Sequence, residues 1–209
     1  MMRFLFSILL ALHFIGCGGE DNNSKLPPQI SNETEILRSA SSKLINSYGL
    51  SLKSELMSAI NAGGFDNAVS VCEERAPLIA ASQVSEGWSI NRVSVKNRST
   101  KNLADQHQLQ ILKNFSDTTL QLTYFDEWIT TDTGRSYYYY KPIYVGKLCL
   151  KCHGQIKEIA PEVKTVIKEK YPDDKAFGYR EGDLRGMFVV KVSAPEGLEQ
   201  LQSTAGDNP

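Results

Sequence analysis

Between residues 33 and 62 the apolar positions Leu37, Leu44, Ile45, Tyr48, Leu52, Leu56 and Ile60 recur at steps of three and four. That period predicts a long amphipathic helix, open to interruption at Gly49 and closed by Gly63-Gly64. A second helix is expected from Phe65, with Ala68, Val71, Cys72 and Ala76 at helical spacing and a kink or restart at Pro77. Cys72 falls on its apolar face. The period then drops to two. Residues 88–95 alternate as a strand, and residues 96–102 read as a polar loop. A helix is predicted over 103–115. Strands follow at 119–130 and 135–145, joined by the turn signal Thr131-Asp132-Thr133-Gly134. Tyr137, Tyr138, Tyr139 and Tyr140 lie in the second of these strands and alternate between its faces. Residues 161–171 have helix character, residues 186–192 form a last apolar strand, and a loose tail is expected at the end.

Helices followed by hairpin-connected strands make an α+β order, not the βαβ alternation of a parallel sheet. The leading segment has another character. Arg3 precedes the apolar residues 4–12, and Phe14-Ile15-Gly16-Cys17 follows. A basic start and a compact apolar run read as an export signal, too short to span a bilayer comfortably. The site around Cys17 resembles a bacterial lipobox, whose cysteine is diacylated and becomes the mature N-terminus. The expected organisation is a signal peptide at 1–16, a lipidated tether at 17–32, one domain at 33–195 and a flexible tail at 196–209. Acyl chains would anchor the protein on the periplasmic side of a membrane, with Gly18 after the cysteine favouring the outer membrane. A tether of this length reaches about 50 Å.

The formal net charge is −1 with no basic block, which argues against a nucleic-acid partner. The chemistry is concentrated in Cys149-Leu150-Lys151-Cys152-His153. Two thiols at this spacing with a histidine directly after the second form the attachment signature of a c-type haem. Each thiol adds across one vinyl group, and the adjacent imidazole reaches the iron as an axial ligand. A zinc site would want a second Cys/His pair nearby, and a redox dithiol would leave His153 without a role. The expected cofactor is one covalent haem c. With Cys17 assigned to lipid, Cys72 remains as a lone thiol in an oxidising compartment. Cys72, His107, Met57 and Met187 are the side chains able to supply a second axial ligand, the methionines being ordinary core filler elsewhere. Arg92, Arg98 and Arg185 are candidates to pair with haem propionates, or ordinary surface residues.

Several motifs agree in order with one family. They are Ala68-Val69-Ser70-Val71-Cys72 with Ala76-Pro77, Arg92-Val93-Ser94 with Asn102, the CxxCH stretch with Gly154, and Tyr171-Pro172-Asp173-Asp174-Lys175-Ala176-Phe177-Gly178-Tyr179 running to Gly186. Across residues 35–193 the chain resembles the bacterial exported haem-binding PAS-like domain. That domain of unknown function is found alone or as the sensor part of histidine kinases. The resemblance implies a PAS-like antiparallel sheet, covalent haem, His153 as one axial ligand and a cysteine, here Cys72, as the other.

A thiolate ligand stabilises ferric iron, and its release on reduction would open a coordination position. The leading expectation is therefore a membrane-tethered redox or small-ligand sensor, with a monohaem electron carrier as the alternative. A haem enzyme is disfavoured for want of a distal acid–base pair. With no room for an output domain after residue 193, a sensor would need a separate redox or signalling partner.

Overall fold

The computed structural model describes residues 28–206. The expected signal peptide, Cys17 and most of the tether lie outside the described residues. The order is α1 (Pro28–Ser82), β1 (Trp88–Val93), α2 (Gln106–Ser116), β2 (Phe125–Thr131), β3 (Gly134–Tyr144), α3 (Leu150–His153), α4 (Pro161–Lys170), β4 (Leu184–Ser193) and α5 (Glu196–Gly206). This is the α+β arrangement expected from the pattern. The strands form one antiparallel sheet in the order β1-β4-β3-β2.

α1 starts at Pro28, inside the segment expected as tether. It runs through Gly49 and Pro77 and departs from helical geometry only at Gly63 and Gly64. Gly64 has φ 84°, a left-handed conformation that a side chain resists. Before the break, Leu37, Ile45 and Tyr48 are buried against Tyr137, Tyr139, Val190 and Val192 of the sheet. After it, Phe65 and Val69 pack with Ile159 and with Val163 and Ile167 of α4. One helix thus serves two cores.

The other face of the sheet is covered by α2, through Ile111, Leu112 and Phe115 against Tyr140, Met187 and Val189. The sheet is therefore sandwiched, and alternation divides the tyrosine run between two cores. Tyr137 and Tyr139 face α1, while Tyr138 and Tyr140 face the α2 side, so neither pair points to solvent as a set. Buried Tyr137 donates from its hydroxyl to Asp126 Oδ2 at 2.7 Å, and Arg38 Nε reaches the same oxygen at 2.8 Å. Burial raises the Tyr137 pKa strongly, and the bond to Asp126 adds to the shift. Tyr137→Phe should lower stability by about 1 kcal/mol, read as a lower urea midpoint, because Arg38 still pairs the carboxylate.

α2 begins at Gln106, later than its apolar pattern suggests. Asp105 caps it, accepting from Gln108 N while the Gln108 side chain accepts from Asp105 N. The residues before it are drawn into a bridge with Ser94, whose N–H donates to Asn102 O and whose carbonyl accepts from Ala104 N. The first half of the expected 119–130 strand lies outside β2, which starts at Phe125. At the other end, the residues expected as a loose tail form α5, and Leu198 and Leu201 pack against the sheet–α1 core. No helix among the described residues is long and apolar enough to cross a membrane.

Residues 146–182 leave the sheet between β3 and β4 and return to the point of departure. Val145 N donates to Asp183 O at 2.9 Å and Gly182 N donates to Val145 O at 2.8 Å, closing the neck. The CxxCH stretch lies on this excursion.

Candidate functional site

A short 3-10 turn (Lys147–Cys149) runs directly into α3, which Gly154 ends by donating its N–H to Leu150 O at 2.9 Å. A Cβ at position 154 would meet that carbonyl oxygen at 2.6 Å, so the close turn requires glycine. Along helical backbone, residues three and four apart share a face. Cys152 and His153 therefore rise on the same side as Cys149. The Cys149 residue is exposed, whereas Cys152 is partly buried against the cluster of Val69, Ile159, Val163 and Ile167.

His153 is held by what folds over it. Its Nδ1 lies 2.7 Å from Ala176 O. A carbonyl only accepts, so Nδ1 carries the proton and Nε2 keeps a free lone pair. Tyr179 N donates to His153 O at 3.0 Å and Gly178 N to Gly154 O at 2.8 Å, lashing the returning chain to the turn. The Tyr179 ring meets the imidazole edge-on, with centroids 6.4 Å apart. Burial, and then the positive charges of Arg98 and Arg185, push the His153 pKa well below its ordinary value. The imidazole is neutral, the form that binds metal.

The three arginines considered from the sequence gather here, since each acts electrostatically on His153. Arg98 is no surface residue. Its Nη2 donates to Cys152 O at 2.6 Å, and its Nε and Nη2 each lie 3.3 Å from an Asp174 carboxylate oxygen. Arg185 is engaged by neutral partners, donating from Nη1 to Ser94 Oγ at 2.9 Å and Lys96 O at 3.0 Å, and lying over the Tyr179 ring at 5.4 Å. Burial lowers its pKa, Arg98 and Arg92 add repulsion, and Tyr179 and Asp174 oppose the shift. Among the described residues neither Arg92 nor Arg185 forms an ion pair. Arg185 thus has neutral direct partners, and Asp174, paired with Arg98, is the anion that acts on it from beyond ion-pair distance.

Cys72 stands in the part of α1 beyond the glycine break, a turn after Val69, which packs with Cys152 and α4. Its side chain lies outside the described residues. His107 belongs to another neighbourhood. Its side chain is 53% exposed and its Nε2 lies 2.6 Å from Glu127 Oε1 of β2, an oxygen that also accepts from Tyr140 at 3.0 Å. α2 turns this candidate ligand toward the hairpin edge, where Glu127 engages it. Met187 is fully buried in the α2-side core, and Met57 is 37% exposed on α1. Sequence reasoning gave no role to Asp174 or to the Ala176 carbonyl. The first could have been suspected as a turn-forming Asp after proline. The second carries no signal in its side chain. No group of three or more His, Cys, Asp or Glu suited to a metal ion occurs among the described residues.

A crystal structure described as that of the cyanobacterial heme-protein Tll0287 is similar to this chain. It is 25% identical with a TM-score of 0.51, and the match covers 82% of this chain and 99% of that one. No curated protein matches. The Tll0287-like family model matches residues 28–193, most of the described chain. The chain belongs to the Tll0287-like family.

Proposed function

We propose that this protein carries one covalent haem c and acts as a redox or small-ligand sensor module, held on the periplasmic side of a bacterial membrane by acyl chains on Cys17. The observation that carries the haem reading is the turn itself: Cys149, Cys152 and a neutral His153 on one side, with Nδ1 engaged by Ala176 O and Nε2 free. The similar solved protein is described as a heme-protein, which agrees with it. The residues fit the group. Cys149 and Cys152 would form the thioethers and His153 Nε2 would face the iron. Arg185, whose direct hydrogen-bond partners are neutral, would match an anionic propionate in charge. When bound, the haem supplies a one-electron couple and a position for a small ligand.

Cys72 is the proposed second axial ligand. Its sulfur binds metal as the thiolate and is released as the thiol, so a proton gained at Sγ would free that stretch of helix. The break at Gly63-Gly64 supports a sensor over a rigid carrier. The stretch beyond it, which bears Cys72, packs on α4 through Val69 and on the sheet core through Ile79 and Ala80, so a shift at Cys72 would reach the sheet. Output would pass to a separate redox or signalling protein, and the reading assigns no catalysis. Exposed Cys149 keeps an electron carrier as the second reading, since it would leave the haem edge open to exchange.

Absorption and EPR spectra of haem-loaded Cys72→Ala and His107→Ala proteins test the assignment. The first should lose a thiolate-type ferric signal and the second should match wild type. Cys72→Ala spectra identical to wild type in both oxidation states sink the ligand assignment. A ferrous absorption spectrum that shows a five-coordinate or re-ligated haem after dithionite addition favours the sensor, and a ferrous haem that stays low-spin and six-coordinate with the same ligands favours the carrier.

A further inference from the structure

We infer that Arg98 and Asp174 are positioning residues for His153, acting on it through the main chain from two sides. The inference rests on the haem reading above, because His153 is the ligand being positioned. On one side, Arg98 Nη2 donates to the carbonyl of Cys152, the residue before the histidine, at 2.6 Å. On the other, Asp174 Oδ1 accepts from Ala176 N at 2.8 Å, and the carbonyl of that same Ala176 accepts from His153 Nδ1–H at 2.7 Å. The Arg98–Asp174 pair, at 3.3 Å from both Nε and Nη2, joins the two sides.

The arrangement suits a ligand clamp better than a general brace. Ala176 lies in a segment without helix or strand, between α4 and β4, so no ladder of backbone bonds fixes its carbonyl. Asp174 is the side chain that holds the Ala176 amide, beside the main-chain bonds of Lys175 N to Asn97 O and Gly178 N to Gly154 O on either side of it. The two charged side chains are 14% and 9% exposed, and the pair is therefore weakly screened and held in one geometry. Tyr171 lies under the guanidinium, 6.0 Å from its carbon to the ring centroid, and further limits its freedom. A hydrogen bond from the distal nitrogen of a metal-bound histidine sets the ring's orientation and raises its basicity, and disturbing such partners typically costs tenfold or more. Here that bond depends on an ion pair whose members are 76 residues apart in the chain.

The test is made on the haem-loaded full chain with Arg98→Lys, Asp174→Asn and the double variant. The readouts are the midpoint potential and the ferric EPR g values. A slackened Nδ1–H bond makes the imidazole a poorer donor to ferric iron. The potential should rise by a tenfold shift in the ferric/ferrous equilibrium, about 59 mV for one electron. The g values should move with it. Asp174→Asn also removes a negative charge, but Arg98→Lys keeps the charge and loses the fork, so a rise in Arg98→Lys separates positioning from simple electrostatics. The double variant should shift no further than the larger single one, because both act in one network. Arg135→Lys, which alters a 2.7 Å pair with Glu33 at the sheet, should leave both readouts unchanged. Should Asp174→Asn fail to mature, Arg98→Lys decides alone. Arg98→Lys with wild-type potential and g values overturns the positioning role and leaves the haem reading standing. Wild-type protein that never acquires covalent haem overturns both.

Discussion

Replacing Cys149 and Cys152 together by serine is expected to abolish covalently held haem, seen as complete loss of haem stain on a denaturing gel. A serine hydroxyl does not form the thioether, so neither linkage survives. Either single variant keeps one thioether and should still stain, with an absorption band shifted because one vinyl group stays unsaturated. The loss would not reflect misfolding. Cys149 is exposed, so a hydroxyl there meets water at little cost. Cys152 touches the cluster around Val163, where a hydroxyl costs about 1–3 kcal/mol, well below the stability of an ordinary domain. Far-UV circular dichroism close to wild type alongside full haem loss is the expected pair of results. Haem that persists on the gel in the double variant would overturn the attachment site.

Gly87→Ala is expected to be the most destabilising single-methyl change in the sheet region, by about 2–5 kcal/mol. Gly87 has φ +76°, and a Cβ there would lie 2.3 Å from Gly197 N and 2.7 Å from its Cα. The left-handed conformation costs an ordinary residue about 1–2 kcal/mol. The clash adds about 1–3 kcal/mol, because the obstacles are backbone atoms that move only with their helix. Those atoms open α5, which also covers Trp88: the indole Nε1 donates to Gly197 O at 2.8 Å. Gly87 O in turn accepts from Ser193 N at the end of β4. Shifting α5 therefore disturbs the β1–β4 edge as well. Urea unfolding followed by tryptophan fluorescence should show a large drop in midpoint. Gly146→Ala, where a Cβ meets nothing within 4 Å, is the matched control and should change little.

The element boundaries show where local pattern stopped being sufficient. The 3.6 and 2.0 periods located the helices and strands, because burial on one face leaves a periodic trace in side-chain type. Gly49 and Pro77 were weak guides: tertiary packing before and after them outweighs their local preference, and only the Gly63-Gly64 pair breaks the helix. The α2 start followed Asp105 and Gln108, a capping signal that the apolar period at Leu103 and Ala104 obscured. In α5, Leu198 and Leu201 are too few to announce a helix, and their packing partners come from distant parts of the chain.

By itself the sequence determined the α+β order, the CxxCH attachment signature and the histidine it presents, since each is written in side chains close together along the chain. Only the tertiary structure decided how that histidine is held. Its tautomer follows from a backbone carbonyl 23 residues away, and the amide of that same residue is held by Asp174, which pairs with Arg98. It likewise separated Arg98, already taken by Asp174, from Arg185, left with neutral partners, although as isolated letters the two read the same. Main-chain acceptors and charge compensation have no signature in residue type. They exist only once distant segments are folded against one another.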